Sequence, residues 1–364
     1  MNYDEEIKLL EDQLLKTQYN KATEHHFGVV RARIAQLRNT KEKRQSIGKS
    51  TAGWSVRKSG DATVVLLGFP SVGKSTLLNA LTGAKSKTAA YAFTTLTAIP
   101  GVMFYNNAKI QIIDVPGIVA GAASGKGRGR EVLGMVRSSD LILILIDSEH
   151  PEHYDAVLKE AYDAGIRLNK KEPIIKIAKR EKGGLDIQTT VKLTHVSVET
   201  IAAICREYRI NSAGIVIRSD ITIDDFIDVL EGSRKYIPSL TIGVKSDLLT
   251  PEARKSFIKL IKPDLMVSAQ TNENISELKD KIFEGLQFIR LYLKEVNKKA
   301  DMDVPLILRR GATILDVCKN IHRDMAKKFK FARIWGKSAK FPGQQIQKPE
   351  KVLADGDVIE IHAR

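Results

Sequence analysis

The sequence of 364 residues contains little cysteine and no long apolar run. Its two cysteines, Cys205 and Cys318, lie far apart, which excludes a disulfide framework and favours a reducing compartment. No apolar stretch follows the acidic first residues, so no secretory signal is predicted. The longest aliphatic run, residues 141–146, is far too short to span a bilayer. We therefore expect a soluble, cytoplasmic protein that does not use a membrane.

What the chain has in excess is positive charge. It carries 58 Lys and Arg against 43 Asp and Glu, and 43% hydrophobic residues supply enough apolar material for packed cores. Residues 16–58 hold eleven basic side chains against two acids, and residues 319–340 hold eight against one. Residues 167–182 hold seven against two. This distribution favours basic arms that face RNA over an evenly basic surface.

Apolar periodicity divides the chain into five segments. They are an N-terminal helical hairpin with a basic linker (1–60), the first part of a parallel α/β domain (61–168), an α+β insertion (169–235), the second part of the α/β domain (236–300) and a small β-rich domain (301–364). We also predict that one helix, over residues 275–294, closes the α/β domain.

Residues 68–75 form a complete phosphate-binding loop, G-x-x-x-x-G-K-S, placed between a predicted strand and a predicted helix. Backbone N–H groups of such a loop wrap phosphates, the lysine contacts the β- and γ-phosphates, and the serine hydroxyl binds Mg²⁺. The nucleotide-binding residues predicted here are Gly68, Phe69, Pro70, Ser71, Val72, Gly73, Lys74, Ser75 and Thr76.

An acidic residue at the end of the next predicted strand completes the metal prediction. Asp114 begins the motif Asp-Val-Pro-Gly, where P-loop enzymes hold Mg²⁺. Thr95, with Thr94 as the second choice, is predicted to complete the metal shell with Ser75. Gly117 offers a backbone N–H to the γ-phosphate. We assign catalytic roles to Lys74, Thr95 and Gly117.

The base is predicted to be guanine. Lys245-Ser-Asp247 matches the last three positions of N-K-x-D, in which the aspartate accepts hydrogen bonds from guanine and not from adenine. Val244 replaces the asparagine whose amide normally braces the phosphate loop, so weaker nucleotide binding is expected. Backbone N–H groups of Ser268 and Ala269 are predicted to bind the guanine oxygen.

The residue after Gly117 is aliphatic. Ile118 stands where Ras-type enzymes carry a water-orienting glutamine, which predicts slow intrinsic hydrolysis aided by a partner or an ion. The glycine-rich segment 121–131 that follows reads as a switch or, alternatively, as a solvated loop. Contacts to RNA or a partner are predicted for Lys126, Arg128, Arg130, Lys327, Lys328, Lys330, Arg333 and Lys337.

Taken together, the motifs resemble those of the developmentally regulated GTP-binding proteins, Obg-related GTPases of archaea and eukaryotes. The resemblance extends over nearly the whole chain and rests on Asn20-Lys-Ala-Thr, GFPSVGKST, AYAFTTLT, Asp114-Val-Pro-Gly-Ile, GKGRGRE and Ala332-Arg-Ile-Trp-Gly. It implies a Ras-like GTPase domain, an inserted domain similar to part of a ribosomal small-subunit protein, and a C-terminal TGS domain of β-grasp fold.

The same resemblance implies a function. It implies GTP hydrolysis with Mg²⁺, association with translating ribosomes and, in eukaryotic members, a zinc-finger partner protein. Members can respond to K⁺, but Ser71 stands where related GTPases use an asparagine to hold that ion. Two alternatives stay open: a P-loop ATPase that remodels RNA, which Asp247 argues against, and a ribosome-binding scaffold whose nucleotide is only structural.

Overall fold

The structure is a computed structural model that describes residues 3–46, 60–83, 99–115, 134–232 and 234–363. The described residues belong to two compact units. Unit 1 draws on residues 1–54 and 165–236, and unit 2 draws on residues 55–164 and 237–364. Within the described residues, no helix combines the length and the apolar character that crossing a bilayer requires.

Four sets of elements follow one another along the chain. The first is α1 (Tyr3–Lys16) and α2 (Glu24–Ser46). The second is β1 (Ala62–Leu67), α3 (Lys74–Thr82), β2 (Ile99–Tyr105), β3 (Ala108–Asp114), β4 (Leu141–Asp147) and α4 (His153–Asp163). The third is β5 (Ile166–Leu168), β6 (Ile175–Lys179), β7 (Leu185–Thr189), α5 (Val198–Glu207), β8 (Ala213–Ile217), α6 (Ile223–Glu231) and β9 (Lys235–Ile237). The fourth is β10 (Ser239–Val244), α7 (Pro251–Ile261), β11 (Leu265–Met266), α8 (Ile275–Gly285), β12 (Phe288–Leu293), β13 (Leu306–Arg309), α9 (Ile314–Ile321), α10 (Arg323–Lys328), β14 (Phe329–Trp335), β15 (Gln344–Ile346) and β16 (Val358–Ala363).

Unit 2 contains a six-stranded sheet with the strand order β11-β10-β4-β1-β3-β2. β2 runs antiparallel to β3, and the other neighbours are parallel. Every residue of β1 and β4 is buried, as predicted for parallel strands covered on both faces. β4 and β10 are neighbours, with Asp147 opposite Val244. Because parallel strands end at one edge, the loops after β1, β3, β4 and β10 gather there.

A second sheet in unit 2, of five strands, has the order β13-β12-β16-β14-β15. α9 packs against it through Val317 and Cys318, which gives the β-grasp arrangement expected of the TGS domain. The predicted helix over 275–294 is wrong in its second half, because α8 ends at Gly285 and β12 begins three residues later. Gln287 between them has a left-handed φ of 52°, a conformation that a right-handed helix cannot pass through.

Residues of both sheets of unit 2 pack in one hydrophobic core. Phe288 of β12 and Ile307 of β13 belong to the same buried core as the apolar side chains of β1, β4 and β10. An ion pair between the Arg309 guanidinium of β13 and the buried Asp140 carboxylate joins the sheets near the start of β4. The TGS domain is therefore built onto the six-stranded sheet at the edge opposite the phosphate-binding loop.

Unit 1 combines the N-terminal hairpin with the insertion. A three-stranded sheet of order β6-β8-β7 packs with α5 and α6, and Phe27 of α2 lies in the same core as Ile204 of α5. The Glu24 carboxylate at the start of α2 accepts hydrogen bonds from the Ser197 backbone N–H (2.7 Å) and from the Thr200 hydroxyl (2.9 Å). The hairpin and the insertion, separate segments in the sequence, are thus one folded unit.

Candidate nucleotide-binding site

The phosphate-binding loop connects β1 to α3, in the strand–loop–helix order that the mechanism requires. Gly73 has a φ of 101° and Ser71 a φ of 62°, so the backbone turns through the left-handed region twice. A Cβ added at Gly68 would lie 2.7 Å from the Leu145 carbonyl oxygen, which explains why glycine is needed there. Val72 is buried and anchors the loop in the core, while Phe69, Pro70 and Thr76 are at least partly exposed around it.

Lys74 lies inside the curve of this loop and is only 7% exposed. Its amine donates hydrogen bonds to the carbonyl oxygens of Gly68 (3.2 Å) and Phe69 (2.8 Å). Burial lowers the pKa of the amine, an effect that the charge of Asp114 partly opposes. A buried ammonium group at a helix N-terminus is a strong site for an anionic phosphate.

Ser75 and Asp114 are the oxygen ligands that the sequence predicts for a metal ion, and the structure brings them together. The Ser75 hydroxyl donates a 2.6 Å hydrogen bond to Asp114 Oδ2. Burial raises the pKa of the Asp114 carboxyl, while the Ser75 hydroxyl and Lys74 act in the opposite direction. This pair fits Mg²⁺, which prefers hard oxygen ligands and is held by one or two protein groups together with phosphates.

No group of three or more His, Cys, Asp or Glu side chains that could hold a metal occurs within the described parts of the chain. Seven residues predicted to act near the γ-phosphate or to contact partners lie outside the described residues: Thr94, Thr95, Gly117, Ile118, Lys126, Arg128 and Arg130.

The predicted base-recognition residues follow β10 at the same edge of the sheet. Lys245 has a left-handed φ of 59°, and its amine donates a 2.6 Å hydrogen bond to Asp147 Oδ2 at the end of β4. Asp247, two residues later, is exposed, so its carboxylate is accessible to a base. Val244 is buried among apolar side chains of the core.

Three residues that the sequence analysis missed hold the base-recognition segment in place. The Ser148 hydroxyl donates to the carbonyl oxygens of Val244 (2.5 Å) and Lys245 (3.0 Å). The Glu273 carboxylate accepts from the Ser246 hydroxyl (2.6 Å) and from Arg254 Nη2 (2.8 Å). These partners come from separate segments, so no contiguous motif announces them.

The backbone of Glu273 also occupies one of the two N–H groups, those of Ser268 and Ala269, that are predicted to bind the guanine oxygen. The hydrogen bond from Ser246 lowers the pKa of the Glu273 carboxyl, and the contact with Arg254 acts in the same direction. The Ser268 backbone N–H donates to the Glu273 carbonyl oxygen (3.3 Å), and Ser268 itself is fully buried. Ala269, partly buried at the core, is therefore the stronger candidate of the two predicted backbone donors.

The predicted basic contacts of the TGS domain occupy α10, β14 and the turn after β14. All of them are exposed: Lys327, Lys328, Lys330, Arg333 and Lys337. Trp335 at the end of β14 is partly buried, and the Lys294 amine lies 4.8 Å from the centre of its ring. Arg333 Nη1 lies 3.9 Å from the buried Glu360 carboxylate, so its charge is partly compensated.

Comparison with known proteins agrees with this geometry. Residues 63–180 match the family model described as "50S ribosome-binding GTPase", residues 182–288 the model of the C-terminal region of that domain, and residues 289–363 the TGS domain. An uncharacterized GTP-binding protein of Methanocaldococcus jannaschii is 50% identical, with 99% of this chain and 93% of the relative covered.

Eukaryotic relatives cover the chain equally well. Developmentally-regulated G-protein 3 of Arabidopsis thaliana is 46% identical over 98% of each chain, and the developmentally-regulated GTP-binding protein 1 homolog of Dictyostelium discoideum is 42% identical over 99% of each. A crystal structure of a GTP-binding protein from Pyrococcus horikoshii aligns with a TM-score of 0.45 at 14% identity, covering 83% of this chain and all of the other. By its full-length relatives and its domain models, the chain belongs to the developmentally regulated GTP-binding proteins, GTPases that carry a C-terminal TGS domain.

Proposed function

We propose that this protein hydrolyses GTP to GDP and phosphate slowly, as a conformational switch that acts on the ribosome. The observation that supports hydrolysis most directly is the arrangement at the edge of the six-stranded sheet. A buried Lys74 inside the phosphate-binding loop lies next to the hydrogen-bonded pair of Ser75 and Asp114. P-loop enzymes use these three groups on the β- and γ-phosphates and their metal ion.

In this proposal the protein supplies positioning and charge rather than covalent chemistry. Backbone N–H groups of the loop bind phosphate oxygens, and Lys74 turns its amine from the loop carbonyls to the β- and γ-phosphates. Ser75, Asp114 and Thr95 would hold Mg²⁺, which would supply positive charge to neutralise the two phosphates. Gly117 donates its backbone N–H to the γ-phosphate and loses that contact after hydrolysis.

The proposed rate is slow because of the residue at position 118. An aliphatic side chain such as Ile118 cannot orient the attacking water by hydrogen bonding. A partner, an ion or another residue supplies this function, and the zinc-finger partner and K⁺ that the resemblance implies are proposals for that role. Guanine is selected by the exposed Asp247 carboxylate, with the Lys245 stem across the base.

The ribosome is proposed as the site of action for two reasons. The matching family model is described as a ribosome-binding GTPase. The exposed lysines and arginines on α10 and β14 provide positive charge for phosphate groups of RNA. GTP-bound and GDP-bound states would then differ in ribosome affinity, and a 100-fold difference corresponds to about 2.7 kcal/mol.

One experiment tests both parts of this proposal. GTP and ATP hydrolysis by the purified protein are measured with and without ribosomes, in Na⁺ and in K⁺. We expect slow, GTP-specific hydrolysis that ribosomes accelerate. Preferred hydrolysis of ATP would instead support the ATPase alternative, and ribosome binding and cellular function that persist unchanged in Lys74→Ala would support the scaffold.

Cosedimentation across a salt series tests the RNA contacts. Removing two exposed charges in Lys327→Ala/Lys330→Ala should weaken ribosome binding and flatten its salt dependence, because fewer counterions are released. The matched control, Lys255→Ala/Lys259→Ala, removes two exposed lysines of α7. Equal effects of the two double variants would contradict a specific role for the TGS domain.

A further inference from the structure

The phosphate-binding loop in this chain makes a contact outside the motif that recognises nucleotides. The Phe69 ring stacks on the His153 imidazole, with 4.2 Å between ring centres and 14° between the ring planes. His153 is the first residue of α4, the helix that follows β4, and both rings are partly buried. Aromatic rings in stacking contact attract one another beyond the contribution of the apolar area that they bury.

Phe69 is also the residue that holds the catalytic lysine. Its carbonyl oxygen accepts the shorter of the two hydrogen bonds from the Lys74 amine, at 2.8 Å. A displacement of Phe69 therefore moves both the loop backbone, whose N–H groups face the phosphates, and an acceptor of Lys74. The stacked imidazole limits such a displacement from the side of α4.

His153 is itself fixed by its neighbours. Its backbone N–H donates to the His150 carbonyl oxygen (3.3 Å), and the two imidazole rings lie 5.4 Å apart. His150 Nδ1 lies 3.0 Å from Glu152 Oε1, which ties this turn together. The imidazole that stacks on Phe69 therefore belongs to a helix N-terminus whose neighbouring residues contact one another.

Because Val244 stands at the asparagine position of the N-K-x-D motif, the amide that would brace the phosphate-binding loop is missing, and the stack of His153 on Phe69 can fill that role. Val244 is 5% exposed and packs in the core, and its aliphatic side chain has no N–H or O–H group to donate to the phosphate-binding loop. We propose that His153 is a positioning residue for nucleotide binding, whose stacking on Phe69 braces the phosphate-binding loop in place of the asparagine amide missing at position 244. This inference rests on the proposed binding of GTP at this loop.

The test measures GDP and GTP dissociation constants with fluorescent nucleotide analogues, together with KM and kcat. His153→Ala should raise both dissociation constants and KM by about 3- to 10-fold, as the loss of one aromatic pair implies. The value of kcat should change less than twofold, because in the proposed mechanism Lys74 has turned from the Phe69 carbonyl to the phosphates once the nucleotide is bound. His153→Phe keeps a stacking ring and should restore affinity to within twofold.

A second arm links the contact to position 244. If the asparagine amide and the imidazole brace the same loop, His153→Ala should raise the nucleotide dissociation constants by a smaller factor in a Val244→Asn background than in the wild-type chain. His195→Ala, an exposed histidine of unit 1, controls for the loss of an imidazole, and thermal unfolding checks that each variant folds.

The outcomes separate the two levels of the proposal. A wild-type protein that fails to bind guanine nucleotides contradicts the proposed function itself. A wild-type protein that binds, with His153→Ala binding equally well or His153→Phe as weak as His153→Ala, overturns the positioning role alone. Equal costs of His153→Ala in both backgrounds would overturn the substitution for the missing amide.

Discussion

At the phosphate half of the nucleotide edge, the hydrogen bonds of Lys74 and Ser75 run between members of the recognised motifs: Lys74 bonds to the loop carbonyls and Ser75 to Asp114. At the base half, the motif residues are held by others: Ser148 bonds to the backbone of residues 244 and 245, and Glu273 to Ser246. The base half lacks the asparagine amide, and neighbours from separate segments hold its backbone. The side chains that hold the base half therefore lie outside the recognised motifs.

Removing the lysine from the phosphate half should have the largest effect. Lys74→Ala deletes a buried charge that would bind two phosphates, and hydrogen bonds to charged groups contribute about 1.5–3 kcal/mol each. We expect GTP affinity to fall about 100-fold and hydrolysis to be lost. Lys109→Ala, an exposed lysine of β3, is the matched control. Affinity retained within threefold in a folded Lys74→Ala protein would contradict the assignment.

The next largest effect is expected at the base half. In Asp247→Asn, the amide N–H group would face the 2-amino group of guanine, which is also a donor. Xanthine has a carbonyl oxygen at that position and can accept from the amide. We expect GTP to bind about 100-fold more weakly and xanthosine triphosphate to bind better than GTP, because two hydrogen bonds to a charged carboxylate are lost. Competition titrations with both nucleotides measure this. An unchanged preference for GTP would exclude Asp247 as the selecting residue, and Asp12→Asn in α1 serves as the control.

Breaking the support of the base half should have a moderate effect. Glu273→Gln removes the charge that Ser246 and Arg254 contact, and we expect about 3- to 10-fold weaker guanine nucleotide binding. Nucleotide titration and thermal unfolding measure it. Affinity equal to that of the wild type would show that Ser148 alone suffices to hold this half.

The pH dependence of this variant provides a separate check. The folded pKa of the Glu273 carboxyl lies below its ordinary value of 4.5, mainly because of the Ser246 hydrogen bond. A lowered pKa stabilises the folded state above 4.5, and this contribution is lost as the pH falls through the folded pKa. The difference in melting temperature between wild type and Glu273→Gln should therefore shrink as the solution is acidified below that range.

Restoring the asparagine should have the smallest effect. Val244→Asn adds an amide at a buried position, where a net hydrogen bond contributes about 1 kcal/mol but the polar group must be desolvated. We expect nucleotide affinity to rise about threefold while thermal stability falls slightly. Val244→Thr, which adds a hydroxyl without an amide, should not tighten binding. Equal gains in both variants would argue against a specific amide contact.

The same contrast explains what could be predicted from the sequence. Lys74, Asp114 and Asp247 lie in short contiguous motifs that follow buried strands, so pattern and topology together locate them. Glu273 and His153 act only after folding brings separate segments together, and nothing in their own neighbourhoods signals a role. Tertiary contacts of this kind are not encoded in local periodicity.

The wrong helix prediction has a comparable physical origin. Ile282, Leu286, Ile289 and Leu293 are spaced by four, three and four residues, which continues the period of a helix. Alternate residues of the segment 288–293 fit a strand equally well, and pairing with β13 and β16 decides for the strand. When a short apolar segment fits both the helical and the strand period, the neighbouring strands with which it can pair decide its secondary structure.

The apolar side chains of Phe288 and Ile307, which complete the core beneath the six-stranded sheet, lie late in the chain. A polypeptide is made from its N-terminus, and domains usually fold as they emerge. Here the nucleotide-binding loop is synthesised more than two hundred residues before the core that supports it is complete. A nascent chain that stalls before residue 307 lacks the Ile307 side chain and leaves the part of this core that it covers exposed to solvent.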